Sequence, residues 1–155
     1  PQRALLANLT ARRLVVASQL RAAITMAKLP RSVVALDRIV ANPLASQVHR
    51  LKSEYVDLRI RQALALTGVR ASERDFIRRD IKPGNYLDFG GIVFQVQSVT
   101  AAGIRVRTPY GPAVLPATNI PARLLTTKPD KVLRPRSQLD VLALLGIVGA
   151  ARKAA

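Results

Sequence analysis

The stretch Ile81–Ile120, IKPGNYLDFGGIVFQVQSVTAAGIRVRTPYGPAVLPATNI, limits the fold more than any other part of the chain. Its apolar residues alternate with polar ones, and turn residues interrupt the alternation at short intervals. Lys82-Pro83-Gly84 sets a turn before a short strand, Tyr86–Phe89. Gly90-Gly91 supplies the positive φ that a tight hairpin needs. Over Ile92–Val99 the period is two, with Ile92, Phe94 and Val96 on one face and Gln95 and Gln97 on the other. A third strand starts at Gly103 and sets Ile104 and Val106 opposite Arg105 and Arg107. Pro109-Tyr110-Gly111-Pro112 is a second hairpin, followed by a brief fourth strand, Ala113–Leu115. Strands this short, at this turn spacing, predict a small barrel of the SH3 or Sm kind. Such barrels usually bind something, so the segment predicts a binding or assembly role.

Outside this segment Ala, Leu, Val and Arg dominate, which favours helix. Gln2–Leu29 reads as one long helix with an apolar stripe of Leu5, Leu9, Val16, Leu20 and Ile24. Arg31–Val40 predicts a short second helix, stopped before Asn42-Pro43. Leu44–Thr67 predicts a third, striped by Val48, Leu51, Tyr55, Leu58 and Ala65-Leu66 and ended by Gly68. Ser72 with Asp75 reads as the cap of a further short helix through Arg79. Thr126–Arg136, rich in Pro, Lys and Arg, reads as an extended arm without its own core. Ser137 then caps a last helix, Gln138–Lys153. The expected class is α+β: a helical region over 1–80, a small β-barrel over 81–125, a basic linker over 126–137 and a C-terminal helix over 138–155.

The chain carries 25 Lys and Arg against 9 Asp and Glu, a formal charge of +16. That excess favours a polyanionic partner. Cysteine is absent, which removes disulfides and thiolate chemistry. His49 is the one histidine, and it sits on the helix face away from the Val48/Leu51/Tyr55 stripe. The carboxylates Asp37, Glu54, Asp57, Asp75, Asp80 and Asp88 do not pair at a spacing suited to acid–base work. The chain therefore reads as no enzyme, with no cofactor, no metal and no small-molecule substrate. No run approaches the roughly 20 apolar residues of a membrane span. The acid-free segment before Asp37 shares its charge pattern with organelle transit peptides. Since it continues as ordinary helix, a mature chain whose initiator Met was removed before Pro1 is the preferred expectation.

Three groups are candidates for contact with partners. Arg105 and Arg107 lie on one strand face near Tyr110, an arrangement that can hold phosphates on arginine and a base on the ring. Lys128, Lys131, Arg134 and Arg136 form a basic arm opposed only by Asp130, suited to lie along nucleic acid or between subunits. Leu139, Leu142, Leu145, Ile147 and Val148, with Val141 and Leu144, make the last helix apolar nearly all round, which predicts contact with another subunit. By contrast Arg70, Arg74, Arg78, Arg79 and Lys82 are interrupted by Glu73, Asp75 and Asp80 and read as local salt bridging.

Two family resemblances fall on the strand segment. Pro83–Gly91, Arg107-Thr108-Pro109-Tyr110-Gly111 and Leu115–Ile120 resemble the soluble β-domain of small-conductance mechanosensitive channels. Phe94 stands where that family has a glycine, and nothing before Ile81 has the composition of a pore-lining helix, so the resemblance implies an Sm-like fold rather than a channel. Pro83-Gly84-Asn85 with Gly91–Val99 is similar to the SH3-like barrels of tailed-phage head–tail connector and stopper proteins. That resemblance implies a virion component, at the head or the head–tail junction, that docks neighbouring subunits and faces DNA. The expected function is thus a non-enzymatic structural or assembly protein, an oligomer located in a virion. The first alternative is a nucleic-acid-binding module such as a ribosome-associated RNA-binding protein, cytoplasmic or in an organellar ribonucleoprotein. A channel-like soluble domain is a further alternative.

Overall fold

A computed structural model describes residues 2–27 and 37–154. It is α+β, with three helices and a five-stranded antiparallel sheet. The elements are α1 (Gln2–Ala27), α2 (Asp37–Ser72), β1 (Tyr86–Phe89), β2 (Ile92–Thr100), β3 (Gly103–Thr108), β4 (Gly111–Leu115), β5 (Arg123–Leu125) and α3 (Gln138–Ala154). None of the described helices is long and apolar enough to cross a membrane. The contacts divide the chain into two compact units, Ala7–Arg59 and the flanking Pro1–Leu6 with Ile60–Ala155. The unit boundary therefore falls inside α2, not at the start of the strands.

The first expected helix is present as α1. The expected break at Asn42-Pro43 is not, and the start of the short helix assigned to Arg31–Val40 lies outside the described residues. From Asp37 the chain is helical without interruption. Pro43 removes one backbone bond near the helix start, but packing further along α2 holds the helix. Gly68 does not end it either. Thr67 and Val69 on either side are buried, and this burial outweighs the helix-breaking tendency of one glycine. The buried Thr67 hydroxyl donates to the Ala63 carbonyl at 2.9 Å, so it costs no unpaired polar group.

The real terminus is at Ser72. Asp75 N–H donates to the Arg70 carbonyl at 2.8 Å, and Arg74 N–H to the Ala71 carbonyl at 3.3 Å. Arg74 has φ 57°, completing a Schellman stop with arginine where glycine is usual. Ser72 is therefore a last-turn residue whose hydroxyl bonds the Val69 carbonyl, not the cap of a new helix. The segment expected to be helical through Arg79 is turn and extended chain.

In the Ala7–Arg59 unit, Val16 and Ala23 of α1 are buried with Leu51 and Leu58 of α2. Leu9, Leu20, Val48 and Tyr55 flank them, and Arg12 Nη2 donates to Glu54 Oε1 at 2.7 Å. Leu5 of the expected stripe is exposed. Tyr55 is held below its ordinary value by the Arg59 hydrogen bond to its hydroxyl.

In the other unit the strand order is β4-β3-β2-β1-β5. Leu87, Phe89, Ile92, Phe94, Val96, Ile104, Val106 and Leu115 project to one side and are buried with Ala63 of α2 and Val141, Leu144 and Val148 of α3. The Phe89 and Phe94 rings meet tilted at 52°, with centroids 5.8 Å apart. Strand β5 was not anticipated; its three residues pair with β1, Leu87 opposite Leu124. Gly90 (φ 70°) and Gly91 (φ 115°) make the first hairpin. Asp88 Oδ1 accepts from Gly91 N–H at 2.7 Å and fixes the turn.

Two expectations for the C-terminal third are revised. The segment 126–137 is not a free arm: Leu133 N–H donates to the Gly91 carbonyl at 2.9 Å, Leu133 packs on the core and Pro135 is buried. Helix α3 is not left without cover in its own unit. Val148, expected at a subunit contact, is fully buried in the core, and Leu145 and Ile147 are half-buried. Only Leu139 (73 % exposed) and Leu142 (52 %) of that group face outward. The start of α3 is held by Asp140, whose Oδ2 accepts from Arg136 N–H at 2.9 Å and Ser137 N–H at 3.3 Å.

Candidate nucleic-acid interface

The core claims one face of every strand, so alternation forces the remaining residues to the other. That outer face carries Tyr86 and Asp88 of β1, Val93 and Gln95 of β2, Arg105 and Arg107 of β3, Pro112 and Val114 of β4, and Arg123 and Leu125 of β5. Register places them in rows: Pro112 is opposite Arg107, Arg107 opposite Gln95, Gln95 opposite Tyr86 and Tyr86 opposite Leu125. Arg105 and Arg107 are two residues apart on one strand, about 6.6 Å by strand geometry. Both are exposed, as the alternation predicts.

Between Val96 and Ser98 the pairing of β2 with β3 shifts by one residue. The extra residue is Gln97. A bulge of this kind bends the strand and re-aims a side chain. Here Gln97 lines a recess of about 400 Å³ together with Arg105, Arg107, Thr108, Pro109, Gly111 and Pro112. The floor is organised by Thr108, whose hydroxyl donates to the Gly111 carbonyl at 2.6 Å and accepts from Tyr110 N–H at 3.2 Å.

Tyr110, expected to offer its ring to a base, also has a structural contact. Its hydroxyl donates to the Pro135 carbonyl at 3.1 Å. That bond fastens the main chain at Pro135, which Arg134 and Arg136 flank, to the β3–β4 turn. Lys128 and Lys131 are exposed on the same segment, before the Leu133 anchor. The structure thus ties the end of the basic segment to the turn that follows Arg107, two parts that are separate in sequence.

Arg123 is a basic residue of this face that the sequence reading missed, because β5 was not expected. It stands opposite Asp88 in register. Nearby, burial lowers the Arg70 guanidinium below its ordinary value, and the charge of Arg123 adds to the effect. Arg70 Nη1 is buried without a hydrogen-bond partner among the described residues. The expected local salt bridging around Arg70–Lys82 takes another form: Glu73 accepts from Arg3 Nη2 at 2.8 Å in a two-pronged pair with α1. His49 is exposed. Among the described residues no three His, Asp or Glu side chains come together as a metal site would need. Comparison with known families, with curated proteins and with solved structures finds no match.

Proposed function

We propose that this chain is a non-enzymatic binding module that holds a nucleic acid on the outer face of its sheet. The observation that carries the reading is the exposed Arg105/Arg107 pair on the outer sheet face beside the recess lined by Gln97, with the Tyr110–Pro135 bond bringing the main chain between Arg134 and Arg136 to the turn at the end of that strand. A chain with formal charge +16 attracts phosphates over long range, and the exposed arginines of β3 offer them partners on a rigid strand. The reading of the sheet as a small SH3/Sm-like barrel belongs to the same proposal. It is supported by the meander β1–β4 and the return of β5 to the free side of β1.

Binding measured against salt tests this. Each phosphate contact removed should lower the slope of log affinity against log salt by about 0.7–0.9. Replacing Arg105 and Arg107 by Ser should flatten the slope for a DNA or RNA oligonucleotide, and replacing Lys128, Lys131 and Arg134 should flatten it further. Unchanged slopes in both variants would sink the reading.

A second reading, assembly within a particle such as a phage head or head–tail junction, draws support from Leu139 and Leu142, exposed on α3. Removing α3 would take Val141, Leu144 and Val148 out of the core, so the useful variant is Leu139→Ser with Leu142→Ser. Loss of an oligomer seen by sedimentation of the unaltered chain would favour assembly. A monomer in both cases would discard it.

A further inference from the structure

The row Arg107–Gln95–Tyr86 crosses three neighbouring strands, which puts Tyr86 two strands from Arg107, about 9.5 Å along the sheet. Leu87 and Phe89 take the buried face of β1, so Tyr86 lies on the outer face, half-buried between Gln95 and Leu125. Tyr86 lies within the strand face itself, in one row with Arg107 and Gln95, whereas Tyr110 sits in the turn between β3 and β4. From this arrangement we infer that the ligand is single-stranded nucleic acid, with a base stacked on Tyr86 and the flanking phosphates on Arg107 and Arg105. The inference rests on the nucleic-acid reading above and specifies its ligand.

The shape of the surface argues for a single strand. The major groove of a duplex admits a helix or a two-stranded ribbon. Here the arginines sit on a strand flanked by β2 on one side and β4 on the other, so the sheet is too broad to enter one. Unless its minor groove were opened, a duplex would meet this face mainly through phosphates. An unstacked base can lie on a ring, and the ring accepts any base because every base has a π-face. Gln95, between the ring and Arg107, and Gln97, turned into the recess by the bulge, are amides that can donate to and accept from base edges.

The test compares a labelled oligo(dT) with a duplex of equal length at low salt, by fluorescence anisotropy. The variants are Tyr86→Leu, which keeps apolar volume without the ring, and Tyr86→Phe, which keeps the ring; circular dichroism checks both folds. The single strand should bind at least about ten-fold more tightly than the duplex. Tyr86→Leu should weaken it on the order of ten-fold, and Tyr86→Phe should leave it near the unaltered chain. The chain has three tyrosines and no tryptophan, so stacking should also quench tyrosine emission on binding, and Tyr86→Leu should reduce that quenching. Equal binding of duplex and single strand, or full affinity in Tyr86→Leu, overturns the single-strand assignment while the nucleic-acid reading stands. If neither form binds, the nucleic-acid reading fails and this inference with it.

Discussion

In the sheet-bearing unit, Phe94 is covered by neighbouring strands, by Phe89 and by helices that close over the buried face. In Ala7–Arg59, Val16, Ala23, Leu51 and Leu58 meet along one seam between two helices, and Leu14 and Val15 beside it remain exposed. A side chain enclosed by several elements cannot be removed without leaving a hole. A side chain on a two-helix seam leaves a gap that the helices can partly close. The same kind of truncation should therefore cost more in the first unit than in the second, and strained backbone should matter most where the enclosure is tightest.

Phe94→Ala should have the largest effect, about 3–5 kcal/mol in denaturant titration, because ring and cavity are lost together. A loss under about 1 kcal/mol would erase the contrast between the units. Gly103→Ala should cost about 3 kcal/mol: at φ 148° an added Cβ would lie 2.5 Å from the Leu115 carbonyl oxygen, and backbone cannot swing aside as a side chain can. Leu51→Ala should cost about 2 kcal/mol, the low end for a buried leucine. Hydrogen exchange should place that loss in Ala7–Arg59, with amides of β2 and β3 still protected.

Two smaller effects sharpen the picture at the end of α2. Arg74→Gly should stabilise the chain by about 0.5–1 kcal/mol, since glycine adopts the left-handed stop without strain and the exposed arginine side chain is not needed there. The Arg3 hydrogen bond to Glu73 holds that carboxylate below its ordinary value. A depressed folded value means that the pair contributes above the ordinary carboxylate range and ceases to do so as pH falls through the depressed value. A pH titration of the Glu73 carboxyl by NMR should show the depression, and Arg3→Ala should abolish it. The exposure of both side chains keeps this contribution the smallest of the five.

The alternating strands were legible because burial on one side imposes a period of two. Ile92, Phe94, Val96, Ile104 and Val106 all face the core, and Arg105 and Arg107 face away. Stops decided by tertiary packing were less so. Gly68 has the residue type of a helix terminus but lies between buried neighbours, whereas Arg74 has the conformation of one without the residue type. Strand β5 is too short to show a period, so Arg123 could not be placed on the outer face from sequence. Residues 139–148 read as apolar nearly all round, and composition cannot say which side a sheet will cover. The fastening of the arm by Tyr110 joins residues 25 apart in sequence through a main-chain carbonyl, a partner that carries no side-chain signal.

Strand β4 ends the sheet on one side, with Pro112 in its interior and Pro116 just past its end. Proline offers no main-chain donor, so an incoming strand could form little more than the pair at Val114, although that side chain is 65 % exposed and apolar. The margin of the sheet is thereby closed to templated growth of the cross-β kind. If the chain gathers along a polyanion as proposed, it is crowded against its own copies, and the two prolines then disfavour edge-to-edge pairing at β4 while the arginines on the adjoining face stay exposed.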